Sequence, residues 1–153
     1  MTQAFRRTVT DLWQLAELGL PRFAQDGSAS LNFDEVDLRL TLSPTEQDVL
    51  IRADAGQMTQ SLANDAERLQ RILGLSFALL ATHDVLLSLD DDRVVISASY
   101  PLQADNLDHL AGLLSDVVSA TQTIAAQLDA AGAGLRPVSA RAHTPDSMMI
   151  FQP

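Results

Sequence analysis

The stretch from Val85 to Pro101, VLLSLDDDRVVISASYP, constrains this chain more than any other. If Asp91 and Asp92 form a two-residue turn, Leu89 faces Val94, Leu87 faces Ile96 and Val85 faces Ala98, so every inward pair is apolar. The same register sets Asp90 against Arg93 as an oppositely charged cross-strand pair, Ser88 against Val95, and Leu86 beside Ser97 on the outer face. One register satisfies all positions, which predicts an antiparallel hairpin. Pro101 ends its second strand, having no N–H to give to a ladder.

The same alternation recurs upstream. Ala29, Leu31 and Phe33 alternate with polar residues, Asp34-Glu35 is a two-residue turn, and Val36, Leu38, Leu40 and Leu42 continue the inward face. Phe33 then pairs with Val36, Leu31 with Leu38 and Ala29 with Leu40. After a turn marked by Pro44, Val49, Ile51 and Ala53 point inward while Arg52 and Asp54 point out, with Leu50 the apolar exception on the outer face.

Helices are expected around these strands. The first opens at Thr2 or Gln3 and runs to about Leu18, with Phe5, Val9, Leu12 and Ala16 on one stripe, Trp13 and Leu20 at its edge, and Gly19 and Pro21 ending it. Leu15 sits at the margin and Leu18 on the polar side, so this helix has more apolar surface than one contact needs. After a turn at Ala55-Gly56, a second helix starts near Thr59 or Ser61 and carries Leu62, Ala66, Leu69 and Leu73 inward, with Ile72 at the margin, until Gly74 interrupts it. The following run, Leu75 to Ala81, is apolar on nearly all sides. That pattern fits a helix covered on two surfaces, and a chain this small has few of its own to offer. Leu75, Phe77, Leu79 and Leu80 are therefore read as a homodimer contact, with simple core as the other reading. The last helix begins at Asp105 or Asn106 and carries a stripe of Leu107, Leu110, Leu114, Val117 or Val118, Thr121, Ala125 and Leu128.

The order is αβββαββα, an α+β domain whose antiparallel five-stranded sheet must be covered by helices. It occupies residues 1–130, and residues 131–153 form a C-terminal tail rich in glycine and proline. The tail ends in the apolar cluster Met148, Met149, Ile150 and Phe151, which either docks on this chain, a second copy or a partner, or belongs to a disordered end.

Chemistry is scarce. The chain has no cysteine, and its ten basic residues are all arginine, so thiolate nucleophiles, Cys-ligated zinc, Schiff bases and a phosphate-loop lysine are excluded. Its 20 acidic residues give a net charge of −10, which opposes nucleic-acid binding and favours a neutral, apolar or basic partner. Asp90-Asp91-Asp92 lacks the alternating ligands, central glycine and distal glutamate of a calcium loop, and fits a solvated hairpin tip. His83, His109 and His143 are isolated, so neither a metal nor any other cofactor is expected. Gly74-Leu75-Ser76-Phe77-Ala78 lacks the closing glycine and the preceding strand of a nucleophile elbow. No run is long enough for membrane insertion, and the charged start MTQAFRRTVTDLW is unlike a signal peptide, so a cytoplasmic bacterial protein is expected.

The hairpin and last helix, LLSLDDDRVVISASYPLQADNLDHLAGLLSDVV, resemble the class I type III secretion chaperones, the family of the Tir and YopE chaperones. The matching pattern is Leu87, Leu89 and Asp90 leading through a polar turn to Val94–Ala98 and Pro101, together with an opening helix that holds Leu12 and Trp13 and ends at Gly19-Leu20-Pro21. The resemblance covers roughly residues 5 to 130, and departs from the family at Gly74-Leu75-Ser76 and in the longer tail. It implies a non-catalytic homodimer that holds the N-terminal segments of secreted effectors in an extended, export-competent form, with the export-apparatus ATPase as a further partner. Leu15, Leu18 and Leu50 are then the effector-binding candidates. The alternative is a sensory or regulatory binding domain resembling YbjN-like proteins, without a secreted client.

Overall fold

The computed structural model describes residues 2–132, so His143 and the Met148 to Phe151 cluster lie outside the described residues. The elements are α1 (Gln3–Leu15), β1 (Ala29–Phe33), β2 (Val36–Leu42), β3 (Asp48–Gln57), α2 (Gln60–Ala63), α3 (Ala66–His83), β4 (Leu86–Asp90), β5 (Arg93–Pro101) and α4 (Leu107–Gly132). This is the expected α+β order, with the middle helix delivered in two pieces. The five strands form one antiparallel sheet in the order β1-β2-β3-β5-β4.

Both hairpin registers are those the alternation demands. Phe33 pairs with Val36, Leu31 with Leu38 and Ala29 with Leu40. Asp90 pairs with Arg93, Leu89 with Val94, Leu87 with Ile96 and Leu86 with Ser97, while Val85 lies just before the strand and is fully buried. Asp34 and Glu35 both take positive φ, 47° and 65°, as the two central residues of a tight hairpin turn must when its twist matches the strands. The inner face of the sheet, including Leu38, Leu40, Ile51, Val94, Ile96 and Tyr100, is buried with Phe5, Val9, Leu12 and Trp13 of α1 and with the Leu110, Val117 and Ile124 stripe of α4 in one core.

Several helical details depart from the sequence expectation. Helix α1 stops at Leu15 rather than Leu18. Glu17 turns left-handed (φ 55°), its N–H donates to the Gln14 carbonyl, and the Leu18 N–H donates to the Trp13 carbonyl at 2.9 Å. That closes the helix before Gly19 is reached, leaving Ala16 and Leu20 exposed. The second helix breaks at Asn64-Asp65, where Asp65 becomes a fresh N-cap accepting from the Arg68 N–H at 3.1 Å. Gly74 does not interrupt α3, which continues to His83. The restart also resets the inward face: Ile72 is the buried residue of α3, while Leu73 and Ala66 point out.

Ala55-Gly56 is a β-bulge within β3 rather than a turn. The register against β5 shifts between Asp54 and Gly56, and the Asp54 carboxylate accepts the Gly56 N–H at 2.9 Å. Gly56 has φ 128°, and a Cβ there would sit 3.2 Å from Cδ1 of Leu128 on α4. Gly56→Ala therefore combines a backbone conformation hostile to side chains with a clash against the helix layer. It is expected to cost roughly 1–3 kcal/mol in urea unfolding, and an unchanged midpoint would show that the bulge relaxes freely.

At the start of α4, Asn106 caps through its side-chain oxygen, which accepts from the His109 N–H at 3.1 Å. The buried Tyr100 hydroxyl accepts the Asn106 N–H at 2.8 Å and so fixes α4 to the end of β5. Inside α4, the buried Thr121 hydroxyl is satisfied by the Val117 carbonyl at 2.7 Å.

Candidate functional site: exposed apolar surfaces

Among the described residues, exposed apolar side chains form three groups, apart from Phe33, which holds its inward register position at the β1–β2 turn but is 43% exposed at the sheet edge. The first follows from the early end of α1: Leu15 is 51% and Leu18 47% exposed, with Leu20 beside them in sequence. Because α1 packs with α4 in the helical layer, these leucines belong to that side of the molecule. Leu50, half-buried, sits on the opposite, outer face of the sheet, so the three effector-binding candidates fall on two separate surfaces.

The second group is a stripe on α3. Leu73, Phe77 and Leu80 recur at i, i+4 and i+7 and are 56%, 72% and 43% exposed. Leu75 and Leu79 are half-buried and pack against the core from the same helix. The apolar run thus divides by helical geometry, with Phe77 and Leu80 facing out and Leu75 and Leu79 facing in. Leu73, expected on the inward face of a helix interrupted at Gly74, instead joins this outward stripe, because α3 runs continuously through Gly74 and sets it one turn before Phe77.

The third group lies on the edge strand β4 and the outer face beside it. Leu86 and Leu89 are exposed on β4, a strand paired on one side only. Leu89 occupies an inward register position, yet none of the described helices buries it. On the outer face, Arg52 pairs with Asp90 at 3.0 Å and Arg93 with Asp54 at 2.5 Å. Val95 lies between the partners of these pairs in the ladder and is nearly buried by them. Arg39 pairs with Asp26, whose carboxyl titrates below the ordinary aspartate range, chiefly because it accepts the Ser28 hydroxyl and N–H and secondarily because Arg39 stands beside it.

The two histidines among the described residues stay apart. His83 Nδ1 lies 3.2 Å from Asp116, tying the end of α3 to α4, and His109 meets the Tyr100 ring edge-on. Among the described residues no three His, Cys, Asp or Glu side chains gather in a way that could hold a metal ion. Nor is any described helix long and apolar enough to cross a membrane. What the described residues offer is apolar contact area, a β4 edge paired on one side and a net negative charge, an arrangement for binding protein segments.

Comparison with known proteins points the same way. The model of the Tir chaperone protein (CesT) family matches residues 14–125, well over half of the chain. No curated protein matches the chain by sequence. Among solved structures, a chain of the HopA1–SchA chaperone–effector complex is similar at 13% identity and a TM-score of 0.66, covering 80% of this chain and 94% of that one. The structure of the Yersinia pestis type III secretion chaperone SycH with a fragment of YscM2 gives 16% identity, a TM-score of 0.62, and coverage of 78% and 98%. The ExoU–SpcU complex from the Pseudomonas aeruginosa type III secretion system gives 21%, 0.64, and coverage of 78% and 98%. At these identities the structural likeness establishes the fold.

Proposed function

The chain belongs to the Tir chaperone protein (CesT) family, and from that premise we propose that it acts as a type III secretion chaperone, holding the N-terminal region of effector proteins extended and export-competent. The family match over residues 14–125 carries this reading. The exposed apolar groups support it, because an unfolded segment brings apolar side chains and unpaired backbone groups that need such surfaces. The domain that does this is residues 1–130, with residues 131–153 as an appended tail. The role is non-catalytic and cytoplasmic, and the export-apparatus ATPase is a further partner at the point of delivery.

The working form is a homodimer. Leu73, Phe77 and Leu80 supply its exposed contact and Leu75 and Leu79 its inner support. Effector segments are held by Leu15 and Leu18 on one side of the molecule and by Leu50 on the other, so that a bound segment passes over more than one face. The overall charge of −10 keeps a loaded complex soluble and suits neutral or basic segments.

Co-expression with tagged N-terminal segments of candidate effectors tests the function: a segment should co-purify with this chain, and failure of every segment would overturn the reading. With a captured segment in hand, Leu15→Glu and Leu18→Glu are each expected to weaken capture about tenfold, the equivalent of about 1.4 kcal/mol. Both side chains are half-exposed, so stability should change by no more than about 0.5 kcal/mol. Unaltered capture in both variants would remove the end of α1 from the binding surface.

A further inference from the structure

The outer face of the sheet carries a notch that its strand registers build. On β5, the strand between β3 and β4, two successive outward residues are small, Ser97 and Ser99, whereas their neighbours are large: Leu50 opposite Ser99, and Arg52 and Leu86 on either side of Ser97. Leu50 and Leu86 thus form two walls above a serine floor. The cavity between them is about 220 Å³ and is lined by Leu50, Arg52, Leu86, Ser88, Ser97 and their neighbours, with no carboxylate among them. One end is closed where Arg52 reaches diagonally across the strands to Asp90.

Size, charge and chemistry narrow the occupant. The cavity falls below the roughly 300–1,000 Å³ typical of small-molecule sites, and its seven lining residues are far fewer than the roughly 20–30 a side of a stable dimer face. It is matched to a single side chain. The self-association proposed above uses the α3 stripe, whereas this lining is uncharged apart from Arg52 and so suits an apolar side chain of an effector segment. Around the apolar walls stand hydroxyls and a guanidinium that donates one hydrogen bond to Asp90, with further N–H groups able to reach backbone carbonyls.

Resting on the chaperone reading above, we infer that this notch takes one apolar side chain of the effector segment, with Arg52, steadied by Asp90, as an end wall that donates to the segment's backbone carbonyls. Leu50 then acts together with Leu86 and Ser97 as one anchor pocket. The pocket selects for an uncharged side chain that stops at the Arg52–Asp90 bridge. It recognises main chain beyond that point, which tolerates varied sequences.

The chain has no cysteine, so Ser97→Cys provides a unique attachment point on the notch floor in the 153-residue chain. An environment-sensitive fluorophore placed there should shift to the blue when an effector N-terminal segment captured by the wild type is added. The same label on Ser115→Cys, exposed on α4, should not respond. Filling the notch by Ser97→Trp should weaken capture of that segment about tenfold, and Leu86→Ala should weaken it severalfold with unchanged melting. Replacing the segment's apolar residues with serine one at a time should reproduce the loss at a single position. Wild-type capture that survives both notch variants would overturn the anchor pocket while leaving the chaperone reading intact. Absence of capture by the wild type would remove both. A label that already reports apolar surroundings in the free protein would mean that the notch is filled without an effector, which also overturns the inference.

Discussion

Phe77→Glu is expected to convert a dimer into a folded monomer. Phe77 is 72% exposed on α3, flanked along one face by Leu73 and Leu80, and the outward spacing of the three gives an apolar stripe that the rest of the described chain does not cover. Burying each such side chain against a second copy contributes up to about 1.5–3 kcal/mol. A carboxylate placed in the middle must be desolvated without a partner, which costs several kcal/mol more and is enough to break the association. The fold itself should persist, since the substituted side chain already faces water in the isolated chain. Leu79→Glu would be a poorer test because Leu79 also packs against the core, so a loss of dimer there could be a loss of fold. Light scattering of both proteins at matched concentrations reads the result directly, and a wild-type monomer or a dimeric variant would remove α3 as the self-association surface.

Ile96→Ala should destabilise the protein by about 2–5 kcal/mol, whereas Leu89→Ala, on the same inward side of the same hairpin, should stay within about 0.5 kcal/mol. Ile96 is fully buried on the strand between β3 and β4, beneath the helices; Leu89 is 56% exposed on the edge strand. Removing Ile96 leaves a cavity lined by neighbours that cannot all move in, while removing Leu89 leaves only more water-exposed surface. For a domain of this size each kcal/mol corresponds to roughly 2–4 °C in melting temperature, so the pair should separate clearly. Both substitutions are best measured in the Phe77→Glu background, which removes any contribution of a second copy to covering Leu89. Equal effects would mean that the edge strand is buried after all.

The registers of the two hairpins were legible because a two-residue turn and a period of two leave a single pairing in which apolar residues face one side. The pairs Leu31 with Leu38 and Leu87 with Ile96 follow from counting alone. The dimer candidates Phe77 and Leu80 were legible as excess apolarity, though not their separation from Leu75 and Leu79, which depends on where α3 restarts. That restart at Asp65 is a competition between a short side chain capping a new helix and the old helix running on, and the apolar stripe alone does not register it. Similarly, the left-handed Glu17 ends α1 ahead of the glycine that propensity favours for the task, and this leaves Leu15 and Leu18 on an open surface.

The sequence by itself determined the element order, the inward register of all five strands, the absence of thiol and lysine chemistry and the net negative charge, because each depends on residue type and local periodicity. Only the tertiary structure decided that β5 inserts between β3 and β4, since strand order is set by which long-range pairing best buries the shared face under α1 and α4. That one placement makes β4 an edge, exposes Leu86 and Leu89, and sets Leu50 and Leu86 on either side of a serine floor, none of which is written in the local pattern of any single strand.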